Sequence, residues 1–445
     1  MNKKESFVIE GLAGKKTFKG KVSVNGAKNS ALKAMAASIL FDGQVMLENV
    51  PNTSDIQTMD EILTNLGAKV QWTTYPDSKK ILTIDSSGIK KTDIDPELGR
   101  TMRASVVLTG PMLARFGKAT FPAPGGCVIG ARPIDLFIEG YKKMGATVVL
   151  ENNLYTIQTS KGLGSTNIAF NRVSVGGTET LMMAAVLSNG TTILENCAME
   201  PEIVNVAEWL NSCGAKINGV GTPVITIEGT NGKLLSPKES YVAIPDRIEA
   251  GSYIILGALC AEELLIENCR PDHLDTVLNM LRESGVNISI QEGKGLNKTI
   301  CVSNPATNSA KTFKAFNVQT HEYPGFPTDL QSPMSVFLTQ TSDESKVTET
   351  IFEGRFKYVD DLTRMGANVT VMNPMEILIK GPTLLNSLPD AEELSAFDIR
   401  AGFAIVMAAL VGKGKFVVNN VHLIDRGYEN LEERLQDIGA YIKRV

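Results

Sequence analysis

Several marks of common protein classes are missing from this sequence of 445 residues. Its three histidines are scattered, at 273, 321 and 422, without the spacing of metal ligands. Its six cysteines include no C-x-x-C pair, so neither a zinc ribbon nor a disulfide framework is indicated. A P-loop and a G-x-G-x-x-G fingerprint are both absent, which removes the usual sequence signs of ATP hydrolysis and nicotinamide chemistry. We therefore expect no metal and no cofactor.

Excess positive charge and long apolar runs are missing as well. The formal net charge is −5, which argues against a general nucleic-acid coat or a membrane-surface role. Residues 1–10 contain no apolar core of signal-peptide length, and apolar stretches such as residues 401–410 are too short to span a bilayer. We expect a cytoplasmic protein without nucleic-acid or membrane partners. Any anionic ligand must then be held by a local cluster of cations.

A sixfold internal repeat runs through the chain. In each copy an amphipathic, helix-like segment such as residues 55–66 ends at a glycine and is followed by a β-rich run. A glycine at this position fits a left-handed helix C-cap. The six glycines lie at nearly even intervals and are Gly67, Gly145, Gly214, Gly285, Gly366 and Gly439.

A second, nearly all-apolar helix precedes the amphipathic one in every copy. These helices are predicted over residues 29–40, 102–114, 178–187, 248–259, 329–338 and 399–410. Strands follow them, for example at residues 44–48, 191–195 and 415–419. The pattern predicts an α/β protein of two domains with three units each, with the sheets outside and the apolar helices inside.

Basic residues open several of these apolar helices. Lys28 and Asn29 open the first, Arg100 and Arg103 the second, and Arg400 the sixth. A cation at a helix N-terminus opposes the macrodipole and costs a few tenths to about 1 kcal/mol. We infer an anionic ligand, held by helix N-termini and basic side chains in a cleft between the domains. The alternative is that each cation pairs with a nearby aspartate at the surface.

A loop rich in proline and glycine, residues 121–136, surrounds Cys127. Arg132 lies five residues further on, and Pro133 suits the first position of a helix. A cysteine beside an arginine on such a loop is a candidate reactive thiol of lowered pKa. The alternative is that Cys127 is a small buried hydrophobic residue.

Eight motifs carry a resemblance to a known family. They are Asn-Gly-Ala-Lys-Asn-Ser (25–30), Thr-Met-Arg-Ala-Ser (101–105), Pro-Gly-Gly-Cys-Val-Ile-Gly-Ala-Arg-Pro (124–133), Ser-Val-Gly-Gly-Thr (174–178), Pro-Asp-Arg-Ile-Glu (245–249), Tyr-Pro-Gly-Phe-Pro-Thr-Asp (323–329), Phe-Asp-Ile-Arg (397–400) and Ile-Asp-Arg-Gly-Tyr (424–428). Over essentially its full length the chain resembles the UDP-N-acetylglucosamine 1-carboxyvinyltransferases, enolpyruvyl transferases that open bacterial peptidoglycan synthesis.

The resemblance implies a fold of two inverse α/β barrel domains. Each would contain three βαβαββ repeats around buried central helices. Residues 28–244 would form the domain that carries the Cys127 loop. Residues 1–27 and 245–445 would form the domain that carries Asp329, Arg400 and Arg426.

The resemblance also implies a reaction. The enolpyruvyl group of phosphoenolpyruvate would be transferred to the 3-hydroxyl of UDP-N-acetylglucosamine by addition and elimination, with release of phosphate. Cys127 would donate a proton and form a covalent adduct, Asp329 would face the sugar hydroxyl, and Lys28 would complete the catalytic set. The implied phosphoenolpyruvate contacts are Lys28, Asn29, Arg132, Arg400 and Arg426. The implied nucleotide-sugar contacts are Arg103, Arg132, Pro133, Ile134, Asp135, Leu136, Arg172, Val173, Ser174, Val175, Asp329 and Ile351.

Alternatives remain open for single residues and for the function. Asp329 could be only a helix N-cap, and Arg426 could pair with Asp425 or with a nearby glutamate on the surface. A rival function is enolpyruvyl transfer to shikimate 3-phosphate, against which the cysteine loop argues. A second rival is a nucleotide-sugar-binding regulator without catalysis, against which Lys28, Cys127 and Asp329 argue. We expect the Cys127 loop to close over the substrate as a lid. The sequence departs from the family's expected pattern at Phe137, His321 and Glu322.

Overall fold

The computed structural model describes residues 5–74, 80–123, 134–304, 313–389 and 392–445. Within these ranges the chain forms two units, and each is built from its own set of sheets and buried helices. The terminal unit contains residues 5–25 and 245–445. The middle unit contains residues 26–123 and 134–244.

The described ranges contain α-helices and short 3₁₀ turns. The α-helices are α1 (Lys28–Ala37), α2 (Ser54–Leu66), α3 (Pro96–Thr101), α4 (Thr109–Phe116), α5 (Asp135–Lys143), α6 (Val175–Val186), α7 (Pro201–Ser212), α8 (Arg247–Cys260), α9 (Asp275–Ser284), α10 (Gln331–Leu338), α11 (Val359–Arg364), α12 (Ile399–Val411) and α13 (Leu431–Asp437). Short 3₁₀ turns span Ser38–Leu40, Arg103–Leu108, Pro271–His273, Thr328–Leu330 and Val421–Leu423.

Strands in the same ranges are short. They are β1 (Ser6–Glu10), β2 (Phe18–Ser23), β3 (Val45–Glu48), β4 (Lys69–Thr74), β5 (Lys80–Asp85), β6 (Lys118–Pro122), β7 (Thr147–Glu151), β8 (Leu154–Gln158), β9 (Asn167–Ala169), β10 (Thr191–Glu195), β11 (Lys216–Asn218), β12 (Val224–Glu228), β13 (Tyr241–Val242), β14 (Ala261–Cys269), β15 (Asn287–Gln291), β16 (Lys298–Ser303), β17 (Phe313–Lys314), β18 (Val318–Gln319), β19 (Thr341–Thr348), β20 (Asn368–Asn373), β21 (Glu376–Gly381), β22 (Leu394–Ser395), β23 (Lys415–Asn419) and β24 (Tyr441–Arg444).

These strands form three sheets in each unit. The middle unit has the orders β13-β3-β5-β4, β6-β8-β7 and β11-β12-β10-β9. The terminal unit has β15-β16-β14-β2, β17-β19-β21-β20 with β18 also on β19, and β22-β23-β1-β24. In a complete repeat, β9 pairs parallel to β10 across helix α6, and β12 pairs antiparallel to both β10 and β11. This is the predicted βαβαββ unit, since a parallel pair requires a helical crossover.

Strands from distant parts of the chain complete three of the sheets. β13 supplies the parallel neighbour of β3, and β2 supplies that of β14. β1 lies antiparallel between β23 and β24, with Val8 opposite Val417 and Lys443. Each unit is therefore closed by a segment that the local repeat does not contain.

The repeat glycines end the amphipathic helices as predicted. All six have φ between 92° and 113°, in the left-handed region where a side chain is strained. At Gly67 the amide bonds to Thr64 O, and the next amide, of Ala68, bonds back to Leu63 O. This pair of bonds defines the Schellman motif, and Ala440 with Leu435 repeats it in the last copy.

The apolar helices lie inside their units, as the sequence predicts, but two begin later than expected. Residues 103–108 are a 3₁₀ turn before α4, and residues 328–330 are a 3₁₀ turn before α10. Pro111 and Pro333 each occupy the third position of the α-helix that follows. Proline has no N–H to bond the carbonyl four residues earlier, so the α-helical ladder cannot extend back past them.

A second repeated feature was not predicted. Asn49, Asn196, Asn268 and Asn420 lie at or near the ends of β3, β10, β14 and β23, and have φ between 55° and 60°. The side-chain amide of Asn49 donates to Ala243 O at 2.8 Å. The side-chain amides of Asn196 and Asn268 likewise donate to the main-chain carbonyls of Phe170 and Val24. Asparagine tolerates this left-handed conformation better than most residues. After β19 the position is occupied by Glu349 instead.

Candidate functional site

Lys28 is the first residue of α1 and is buried, with 6% of its surface exposed. Its Nζ lies 2.8 Å from Oδ2 of Asp55, in the first turn of α2, and Asp55 is also buried. Asn29, beside it, is half-buried. The sequence alternative was a cation paired with an aspartate at the surface. The pair exists, but it is buried. A buried ion pair holds its atoms in place better than a solvated one does.

Most of the predicted nucleotide-sugar residues that the structure describes in the middle unit lie at the starts of α5 and α6. Arg172 donates to Oδ1 of Asp135, and this hydrogen bond holds the pKa of the Asp135 carboxyl below its usual range. Ser174 caps α6 by accepting a bond from the amide of Gly177 at 3.1 Å. The structure thus brings together Arg172, Asp135 and the 173–175 segment.

The other described residues predicted in this unit are buried or half-buried. Ile134 precedes α5 and Leu136 belongs to its first turn, and both are buried. Phe137, a departure from the family pattern, is also buried and packs against the ring of Tyr141. Arg103 is half-buried at the start of its 3₁₀ turn. Cys127, Arg132 and Pro133 lie outside the described residues.

The cysteines that the structure describes do not suit nucleophilic chemistry. Cys197, Cys213, Cys260, Cys269 and Cys301 are free and buried. Burial raises the thiol pKa of Cys197 to about 11 and those of Cys260 and Cys269 to about 12. A thiol with such a pKa carries almost no thiolate at neutral pH. The hypothesis of a reactive thiol therefore rests on Cys127 alone.

Asp329 is the acidic residue that the sequence predicts for the site in the terminal unit. Its Oδ1 accepts a hydrogen bond from Nη2 of Arg355 at 2.6 Å, and its Oδ2 lies 3.6 Å from Nη2 of Arg400. Neither the 328–330 turn nor α10 is capped by a side chain, so Asp329 does not act as an N-cap here. Arg355 was not predicted as a site residue, because nothing local in the sequence links it to position 329.

Arg400 is a buried cation with spare donor capacity. Asp398 caps α12 by accepting bonds from the amides of Arg400 and Ala401, at 2.8 and 2.9 Å. The guanidinium carbon lies 5.3 Å from the centroid of the Tyr428 ring. Within the described ranges, Nη1 of Arg400 and Nε of Arg355 have no hydrogen-bond partner. Buried donors are nearly always satisfied, so these two nitrogens have donor capacity that the described residues do not use.

Asp425, beside Arg426, is engaged by a different arginine. Its two carboxylate oxygens accept hydrogen bonds from Arg444 at 2.7 and 2.9 Å. Arg444 also donates to Glu432 and Glu5. The structure therefore assigns Asp425 to Arg444, rather than to Arg426 as the sequence alternative had it.

His321 and Glu322, the remaining departures, contact each other, with Nδ1 of His321 at 3.0 Å from Oε2 of Glu322. The histidine side chain is mostly exposed. Ile351, a predicted nucleotide-sugar contact, is half-buried, and its amide donates to Oε1 of Glu349 at 2.9 Å. Glu349 was missed by sequence reasoning.

Comparison with known proteins decides the family. Residues 12–435 match the family model of EPSP synthase (3-phosphoshikimate 1-carboxyvinyltransferase). The UDP-N-acetylglucosamine 1-carboxyvinyltransferase of Desulforapulum autotrophicum is 40% identical over 98% of this chain and 99% of its own. The enzyme of the same name from Clostridium botulinum is 42% identical over 96% of this chain and 97% of its own. The chain belongs to the UDP-N-acetylglucosamine 1-carboxyvinyltransferase family. The resemblance predicted from the motifs is confirmed.

Solved structures of other enolpyruvyl transferases share the fold. The enolpyruvyl transferase NikO from Streptomyces tendae superposes with a TM-score of 0.85 at 22% identity, covering 99% of both chains. EPSP synthase from Acinetobacter baumannii gives 0.72 at 17% identity, covering 99% of this chain and 100% of its own. The predicted fold class is confirmed. No helix in the described ranges is long and apolar enough to cross a membrane.

Proposed function

We propose that this protein transfers the enolpyruvyl group of phosphoenolpyruvate to the 3-hydroxyl of UDP-N-acetylglucosamine and releases phosphate. The observation that carries the proposal is the near full-length identity of about 40% with relatives of that name. We further propose that it acts in the cytoplasm, where it catalyses the first committed step of peptidoglycan synthesis. The two units described above would be its two domains.

In the proposed addition step, the 3-hydroxyl oxygen bonds to C2 of phosphoenolpyruvate. Asp329 takes the hydroxyl proton and Cys127 gives a proton to C3, which produces a tetrahedral intermediate. In the elimination step, C3 loses a proton and the bond from C2 to the phosphate oxygen breaks. The enol double bond forms again, now on the sugar, and phosphate leaves.

The geometry of the terminal unit supports the role of Asp329. Two guanidinium groups hold its carboxylate, so its direction is fixed before any substrate binds. Nη1 of Arg400 has no hydrogen-bond partner among the described residues, and it suits an oxygen of phosphoenolpyruvate. In this proposal Lys28, Asn29, Arg132, Arg400 and Arg426 bind phosphoenolpyruvate. The middle-unit residues at 103, 132–136 and 172–175, with Asp329 and Ile351, bind the nucleotide sugar.

A second candidate follows from the description of the matching family model. That description names 3-phosphoshikimate 1-carboxyvinyltransferase, which uses the same donor with a different acceptor. The two activities are separated by the acceptor that allows phosphate release.

The test is a phosphate-release assay with phosphoenolpyruvate and either UDP-N-acetylglucosamine or shikimate 3-phosphate. We expect release with the nucleotide sugar alone. Asp329→Asn should lower kcat by about a hundredfold or more, because the amide cannot take the hydroxyl proton. Asp360→Asn, at an exposed aspartate of α11 in the same unit, is the matched control. Release with shikimate 3-phosphate alone, or full activity of Asp329→Asn, would contradict the proposal.

A further inference from the structure

Glu349 lies where β19 ends and is almost completely buried, with 1% of its surface exposed. Its Oε1 accepts hydrogen bonds from the Thr320 hydroxyl at 3.0 Å and from the amides of Ile351 and Phe352 at 2.9 and 3.1 Å. Its Oε2 accepts a bond from the Thr328 hydroxyl at 2.9 Å. All four donors are neutral groups.

A buried carboxylate is costly to keep unless its oxygens are fully bonded. Four donors offset that cost here, and they come from three separate segments of the chain, around residues 320, 328 and 351. The bond from a neutral donor weakens when the donor shifts, because hydrogen bonds are short-ranged and directional. The carboxylate therefore fixes these three segments with respect to one another.

Two of the three segments carry predicted acceptor-sugar residues. Thr328 immediately precedes Asp329 in the chain. Ile351 is bonded to Glu349 through its own amide. The segment after Glu349 also supplies Arg355, which bonds to Asp329 at 2.6 Å. Asp329 is thus held at its side chain by Arg355 and through its preceding residue by Glu349.

We propose that Glu349 is a positioning residue for the acceptor sugar. It sets Asp329 and Ile351 at the spacing that the 3-hydroxyl and the nucleotide-sugar require, without touching the substrate itself. The inference rests on the proposed function. The break in the repeat agrees with it, because three other copies place an asparagine bonded to a main-chain carbonyl at this position.

The first test is Glu349→Gln, which keeps the shape of the side chain. A glutamine has one carbonyl oxygen and one NH₂ group, so it cannot accept all four bonds in either orientation. We expect kcat/KM for UDP-N-acetylglucosamine to fall by about tenfold to a hundredfold, because small displacements of reacting groups are costly. KM for phosphoenolpyruvate should stay within about twofold of its starting value, since a positioning role touches only the acceptor.

The second test separates positioning from simple loss of stability, and it also covers a Glu349→Gln protein that fails to fold. Thr328→Val removes the link between Glu349 and the Asp329 segment but leaves the carboxylate, and should reproduce the loss in kcat/KM. Thr328→Ser keeps the hydroxyl, so its kcat/KM should stay close to that of the unmodified protein. Thr350→Val, the control, deletes a 2.6 Å bond to Thr320 O on the same segment without removing any donor to Glu349.

The expected result is that Tm falls in Thr350→Val while its KM values do not change. The inference is overturned if Glu349→Gln and Thr328→Val behave like Thr350→Val, that is, if they lower Tm but leave kcat/KM for the nucleotide sugar unchanged. It is also overturned if both substrates lose affinity equally. Absence of phosphate release by the unmodified protein is a distinct result, which would overturn the proposed function and this inference with it.

Discussion

Replacing Glu179 by glutamine should remove a pH dependence of stability from the middle unit. Glu179 lies on α6 with 2% of its surface exposed, and its Oε2 is 3.3 Å from Nζ of Lys33 on α1. Burial raises the pKa of Glu179 from 4.5 to about 7. Lys33 opposes this rise, whereas the like charges of Glu202 and Glu200 add to it. The carboxyl therefore changes charge near neutral pH.

The direction in which stability changes with pH follows from proton binding. Between pH 4.5 and about 7 the folded protein keeps a proton on Glu179 that the unfolded chain has released. The contribution to the free energy of unfolding is therefore greatest below pH 4.5 and falls as the pH rises to about 7. At about 1.4 kcal/mol per pKa unit, the fall between about pH 5.5 and about pH 8 amounts to about 2 kcal/mol. Glu179→Gln has no such proton to lose.

Urea unfolding at these two pH values measures the effect. The free energy of unfolding of Glu179→Gln, relative to the unmodified protein, should rise by about 2 kcal/mol from the lower pH to the higher. Glu208→Gln, an exposed glutamate on α7, is the control and should show no such change. An equal pH dependence in Glu179→Gln and the unmodified protein would refute the reasoning.

Three further predictions concern a helix end, a buried pair and the loop cysteine. Gly285→Ala should lower the free energy of unfolding by about 1 kcal/mol because of its φ of 104° alone, since a Cβ there meets no atom within 4 Å. Gly164 has no positive φ, so Gly164→Ala is the control and should not lower it. Thermal melts compare the two variants. Asp55→Asn should cost about 3 kcal/mol in urea unfolding and raise KM for phosphoenolpyruvate, because Lys28 loses the negative charge of Asp55. Unchanged values would contradict the pairing. Cys127→Asp should keep turnover and resist thiol-alkylating epoxides, because a carboxyl group can still donate a proton; loss of all turnover would argue against the proton-donor role.

Much of the fold could be predicted because its signals are local. At Gly67 the helix ends through a bond from Gly67 to Thr64 O and a bond from Ala68 to Leu63 O, so a short stretch of sequence contains the whole motif. The errors at helix starts were also local in origin. Pro111 and Pro333 were visible in the sequence, and their missing N–H groups explain why α4 and α10 begin where they do.

Less of the site could be predicted, because its contacts join distant positions. Nothing near Asp329 indicates that Arg355 will bond to it, and nothing near Lys28 indicates Asp55. For Glu349 a signal did exist. It breaks a repeated asparagine that follows inner strands of the sheets, but what Glu349 binds becomes visible only when the tertiary contacts are known.

The sequence by itself determined the sixfold repeat, the alternation of buried and amphipathic helices, and the family, because each is written in spacing or in contiguous motifs. Only the tertiary structure decided which charges meet. The carboxylate of Asp329 between two arginines, the four donors around Glu349 and the buried pair of Lys33 and Glu179 depend on how helices and loops pack. Packing brings together side chains that the chain itself keeps far apart, and the cost of burying charge then selects the partners that remain.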